Sequence, residues 1–175
     1  MELRNLEAKF RLADLAKAHP QALEMGFEPR QKLEQTDSFF VTRQGKLKLR
    51  EQGNQAWLIY YDRRSLAELQ LSSYRIVSVV DAEVLRFMLS EAIGVRAVVR
   101  KTRELLLRRN IRLHLDRIEG LGEFGELEAV LGPDDSNQAF HDEIKAILEG
   151  LDVDDADLIE GSYFELLDGA ARAQA

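Results

Sequence analysis

Residues 5–10, Asn5-Leu6-Glu7-Ala8-Lys9-Phe10, alternate without a break between polar and apolar side chains. A strand turns successive side chains to opposite faces, so Asn5, Glu7 and Lys9 share one face and Leu6, Ala8 and Phe10 the other. The same pattern returns in Lys46-Leu47-Lys48-Leu49-Arg50, in Ile111-Arg112-Leu113-His114-Leu115-Asp116 and in Glu126-Leu127-Glu128-Ala129. Aromatic and aliphatic residues add strands at Ala56–Asp62, around Ser73–Val80 and at Val95–Arg103, which makes at least seven.

Helices interrupt this strand grammar. Asp81 caps a helix over Ala82–Ala92 that Gly94 stops, and Asp135 or Ser136 caps another ending near Gly150. Leu12–Glu24 has helical spacing but contains Pro20, which predicts two pieces or one bent helix. Gly120-Leu121-Gly122 reads as a hairpin connection, and Arg64–Glu68 as an exposed loop. The chain shows no repeat, linker or low-complexity stretch, so residues 1–169 are expected to form one domain and 170–175 a tail.

With 175 residues and 45% apolar composition, the chain can bury one substantial core. A formal net charge of −7 argues against a nucleic-acid partner. The absence of cysteine excludes disulfides and thiolate metal sites. No segment approaches the roughly 18 apolar residues of a membrane span, so we expect a soluble, cytoplasmic protein with no membrane partner.

So many strands with so few helices leave unpaired edges unless the sheet closes on itself, and helices can then cover the apolar outer face. Closure turns the charged faces inward. Lys9, Lys48, Arg50, Lys101, Arg103 and Arg112 then meet Glu7, Glu126 and Glu128 in the lumen. Buried cations need a partner, and a phosphate chain supplies one. Lysine and arginine neutralise phosphate oxygens, while clustered carboxylates hold Mg²⁺ or Mn²⁺ bridging to the same phosphates. Such a lumen is a poor carrier of apolar ligands.

These residues also carry a family resemblance. The chain resembles the CYTH superfamily, the triphosphate tunnel metalloenzymes, which includes class IV adenylate cyclases and thiamine triphosphatases. The hallmark Glu-x-Glu-x-Lys stands here as Asn5-Leu6-Glu7-Ala8-Lys9. Gln35-Thr36-Asp37-Ser38-Phe39-Phe40, Gly45–Arg50, Leu58–Arg63 and Val99–Arg103 are similar to the class IV cyclase-like branch. The most specific stretch is His114-Leu115-Asp116 followed by Gly120–Glu128, with Gly161-Ser162-Tyr163 near the end.

The resemblance implies an α+β protein, an antiparallel eight-stranded β-barrel with helices packed outside. It implies metal ligation by Glu7, Glu126 and Glu128, and phosphate binding by Lys48, Arg50, Arg63, Lys101, Arg103 and Arg112, with Lys9 also in reach of phosphates. Asn5 is the departure: the site loses one negative charge, which points to a single metal or a lower rate. Three functions follow. One is cyclisation of ATP to cyclic AMP and pyrophosphate, and another is hydrolysis of an inorganic, nucleoside or thiamine triphosphate. The third is a non-catalytic nucleotide or polyphosphate sensor. Lys9 is the expected catalytic base, and the partner is a nucleotide or other triphosphate; a homodimer is compatible with all three. His114 reads equally as a catalytic or a wall residue, and Asp116 as a ligand, a carboxylate behind a ligand or the partner of an arginine.

Overall fold

The computed structural model describes residues 3–66, 69–131 and 137–167, without the side chains of residues 3, 63–66, 137 and 139. The strands are β1 (Leu3–Arg11), β2 (Glu28–Phe40), β3 (Lys46–Gln52), β4 (Gln55–Leu66), β5 (Leu69–Val79), β6 (Val95–Arg108), β7 (Ile111–Ile118) and β8 (Gly122–Leu131). The helices are α1 (Leu15–Glu24), α2 (Ala82–Ile93) and α3 (Asn137–Gly150), with a short 3₁₀ turn at Asp155–Asp157. No helix among the described residues is long and apolar enough to cross a membrane.

The strands close into an antiparallel barrel in the order β1-β5-β4-β3-β2-β6-β7-β8. Closure is made by β1, which pairs with β5 on one side and with β8 on the other. The alternation read from residues 5–10 explains the two sides of the wall. Leu6, Ala8 and Phe10 turn outward into a core with Leu113 and Leu115 of β7, Leu127 of β8, Ala18 and Ala22 of α1, and Ile144 and Ile147 of α3. A second outer core places Leu85 and Leu89 of α2 over Phe40, Leu49 and Ala56. Helices therefore shield the apolar outer wall in two places, and the polar faces are left to line the lumen.

Three expectations need correction or completion. Arg64–Leu66 are strand, not loop: β4 runs on to Leu66 and pairs with β5 along its length, while Ala67 and Glu68 lie outside the described residues. β2 is an eighth strand that alternation does not mark, because residues 28–34 contain Pro29 and are mostly exposed on both faces. α1 is one helix despite Pro20. Proline removes one backbone donor there, but Asp14 caps the start by accepting from Ala16 N at 2.8 Å, and Ala18 and Ala22 anchor one face in the core. Asp81 and Gly94 bound α2 as expected. The proposed caps of α3, Asp135 and Ser136, and the tail 170–175 lie outside the described residues.

Candidate active site in the barrel lumen

The lumen holds a cavity of about 330 Å³. β1 lends it Asn5, Glu7 and Lys9; β3 lends Lys48 and Arg50; β6 lends Lys101 and Arg103; β7 and β8 lend Arg112, Glu126 and Glu128. The cavity thus gathers nine of the ten residues singled out from sequence. Arg63 lies in β4 opposite Ser72, and its side chain is outside the described residues. Among the described residues, β4 and β5 contribute only uncharged groups: Ile59, Tyr61, Ser72, Tyr74 and Ile76. Among the described residues, one wall is therefore charged and the neighbouring one mostly apolar and aromatic.

Two aspartates organise the cations. Asp37 on β2, 1% exposed, accepts from Arg50 Nε and Nη2, both at 2.7 Å, from Lys48 Nζ at 3.1 Å and from Lys101 Nζ at 3.4 Å. Burial alone would raise the Asp37 carboxyl; Arg50, then Lys48 and Lys101, hold it well below the ordinary range. Asp116 on β7, with no exposure, accepts from Arg103 Nε and Nη2 at 2.6 Å and from the Tyr163 hydroxyl at 2.9 Å. It is likewise held low against burial by Arg103. The lysines move the other way. Burial and the Arg50 guanidinium lower Lys48 to about 8, and burial and Arg103 lower Lys101 to about 7.

The β1–β8 seam carries the acidic groups. Glu7 lies directly opposite Glu128, and Lys9 opposite Glu126. On the other flank of β8, Arg112 faces Glu128 and His114 faces Glu126. Lys9 Nζ is ion-paired with Glu126 Oε1 and lies 4.2 Å from the Tyr163 ring centre. Arg103 Nη2 donates to Glu126 Oε2 at 2.8 Å. His114 Nδ1 is 3.4 Å from Glu126 Oε2 and 4.0 Å from Glu128 Oε1. Burial, then Arg103, lowers the imidazole's proton affinity despite both glutamates.

This seam suits a divalent cation. Like charges placed directly opposite each other destabilise a strand pair, and a cation between Glu7 and Glu128 removes that cost. Asn5 Oδ1 is buried and accepts no hydrogen bond. Carboxylate and amide oxygens are the donors that Mg²⁺ and Mn²⁺ take. Among the described residues, His114, Glu126 and Glu128 each bring a ligand atom within 4.8 Å of the others. Glu7 approaches from the neighbouring strand.

Sequence reasoning assigned no role to Asp37, although Gln35, Asp37 and Phe39 share an alternating face whose inward sense Phe39 could have set. Tyr163, which the sequence marks only through the Gly161-Ser162-Tyr163 stretch, stacks edge-on to Phe124 with ring centres 5.3 Å apart and lines the cavity.

A closed antiparallel barrel with helices outside and a lumen of paired cations and carboxylates defines the tunnel class of protein. Residues 3–163 match the CYTH domain model, and the chain belongs to that family. It is 28% identical over 172 residues to a protein of Methanocaldococcus jannaschii named "Putative adenylate cyclase MJ0240", covering 92% of this chain and 97% of that one. The PH1012 protein of Pyrococcus horikoshii superposes with a TM-score of 0.80 at 21% identity, over 95% of this chain and 99% of its own. An adenylyl cyclase-like protein of Hippeastrum, whose structure is described as revealing a dominant triphosphatase activity, superposes with a TM-score of 0.68 at 13% identity, over 95% and 96%. At these identities the two structures show the shared fold.

Proposed function

We propose that the chain is a metal-dependent enzyme that holds an organic triphosphate in the tunnel and cyclises it, ATP giving cyclic AMP and pyrophosphate. The observation that carries this reading is the two-sided cavity. Lys48, Arg50, Lys101, Arg103 and Arg112 suit phosphate oxygens, while Ile59, Tyr61, Tyr74 and Ile76 on the neighbouring wall suit a base and sugar. Family membership and the M. jannaschii relative's name support it.

Glu7, Glu126 and Glu128, with Asn5 or His114 beside them, would hold Mg²⁺ or Mn²⁺. Such an ion, when bound, neutralises phosphate charge and polarises a phosphoryl oxygen. The protein's own groups supply the remainder. The cations fix the phosphate chain, so that the ribose hydroxyl lies in line with the α-phosphorus. That hydroxyl bonds to phosphorus, the bond to the bridging oxygen breaks, and pyrophosphate leaves with the electron pair. In this reading Lys9 takes the hydroxyl proton as the free amine, its ion pair with Glu126 released and its own proton already lost to solvent; unchanged turnover in Lys9→Met with binding intact would overturn the role.

Hydrolysis of the triphosphate is the second reading, favoured by the activity described for the Hippeastrum protein. Product analysis separates the two. Purified protein is incubated with ATP, inorganic triphosphate or thiamine triphosphate, each with Mg²⁺, Mn²⁺ or a chelator. Cyclic AMP and pyrophosphate establish the cyclase, and orthophosphate with a shortened substrate the hydrolase. Tight binding without product leaves a sensor. In either enzyme, Glu126→Gln with Glu128→Gln is expected to abolish metal-dependent turnover and keep the fold; full activity in the double variant overturns the metal assignment.

A further inference from the structure

Asp37 differs from the other aspartate of the tunnel in where it stands. Asp116 sits behind Arg103, outside the cavity lining, whereas Asp37 is part of the lining itself. There it receives three cations. Arg50 commits Nε and Nη2 to it, one of the two forked edges by which a guanidinium grips a carboxylate or phosphate. Lys48 and Lys101 converge on the same oxygen, Oδ2. Three cationic groups from two strands meeting at a pair of anionic oxygens is the arrangement a phosphate group of the ligand would need.

We propose that Asp37 is a resident counter-ion: it occupies the place of one phosphate, holds Lys48, Arg50 and Lys101 together in the empty tunnel, and competes with entering anions for them. The inference rests on the triphosphate reading above. Without an anion at this point, three buried cations would repel one another at considerable cost. With one, an entering ligand must win them from Asp37. A phosphate or pyrophosphate has few other contacts with which to do so. A triphosphate reaches on to Lys9, Arg103 and Arg112, so Asp37 makes the tunnel discriminate by chain length.

The competing role and a purely orienting role give opposite signs. If Asp37 only aimed Arg50, its removal would weaken anion binding. As a competitor, Asp37→Asn is expected to bind tripolyphosphate at least about tenfold more tightly than wild type, and to give measurable pyrophosphate binding. The measurement is calorimetric titration of wild type and variant with each anion, with Mg²⁺ and again with a chelator. Weaker or equal binding by the variant overturns the inference alone. Failure of wild type to bind tripolyphosphate under either condition removes the triphosphate reading and this inference with it. Should Asp37→Asn purify unfolded, refolding with excess tripolyphosphate takes the place of the titration. Recovery of the native circular dichroism supports a replaceable counter-ion, and a chain that stays unfolded with the anion present overturns it.

Discussion

Arg103 shows how single side chains are fixed in the lumen. Its guanidinium is held along one edge by Asp116, which is fixed in turn by the Tyr163 hydroxyl, and Glu126 takes a further hydrogen of the shared Nη2. Asp116→Asn leaves Arg103 without its fully buried counter-charge, and a loss of about 3 kcal/mol is expected in urea unfolding. Tyr163→Phe removes one hydrogen bond and should cost about 1–2 kcal/mol in the same assay. The two lysines make a pH prediction. Their folded values, about 8 for Lys48 and about 7 for Lys101, lie below the ordinary 10.5. Between those values and 10.5 the unfolded chain holds more protons than the folded one, so this pair makes the empty protein more stable as pH rises. Their cost is fully present below about pH 7. Phosphate oxygens beside them restore the charge. Tripolyphosphate binding at about pH 8 is therefore expected to take up protons, and at about pH 6 to take up few. Calorimetry in buffers of different ionisation enthalpy measures this, and a heat independent of buffer at the higher pH contradicts it.

Among the elements, β8 carries the most. Its outward Gly125 leaves room for the Phe10 ring, since a Cβ there would come within 2.1 Å of it. Phe10 is fully buried in the outer core. Gly125→Ala should therefore cost about 2–4 kcal/mol and, by displacing the neighbouring Glu126, lower metal affinity as well. Thermal unfolding and Mn²⁺ titration of the variant check both halves. Elements of this kind were also the most legible in the sequence. β1, β3, β7 and β8 alternate strictly because one face meets apolar helices or core and the other meets charges, so each residue's direction followed from its neighbours. β2 was harder, since its first half is exposed on both faces and has no period to read. The extension of β4 to Leu66 was hidden by Arg63, Arg64 and Ser65, which look like loop but pair with Ser72, Leu71 and Gln70. Pro20 left two pieces or one helix open, and one helix forms because the capping and packing of α1 outweigh one missing donor. The cationic lumen could be inferred from alternation alone. Its internal counter-ions could be read only in part: Asp116 was open to pairing with an arginine, but the choice of Arg103, and the pairing of Asp37 with Arg50, depend on strand register.

Across the whole molecule, the feature with the widest reach is the β1–β8 seam, where residues 4–11 pair with residues 124–131. Contacts so distant in sequence carry a large loop-closure cost and form late, so the tunnel should be slow to assemble. During synthesis, β1 emerges long before β8, and until β8 follows, the edge of β1 that it pairs in the barrel lacks its partner strand. Glu7 and Lys9 meet Glu126 and Glu128 only when that edge closes, so the acidic side of the lumen comes into being with the last strand. Closure also brings Glu7 up against Glu128. Refolding of Glu7→Gln is therefore expected to run up to about fivefold faster than wild type in a chelator, and the difference to shrink in Mg²⁺. Stopped-flow fluorescence of Trp57 reports it, and equal rates in the chelator would show that the seam is already formed before the rate-limiting step. A chain lacking β8 would carry the lumen's cations without Glu126 and Glu128, so on the proposed reading turnover is expected only once the last strand has closed the barrel.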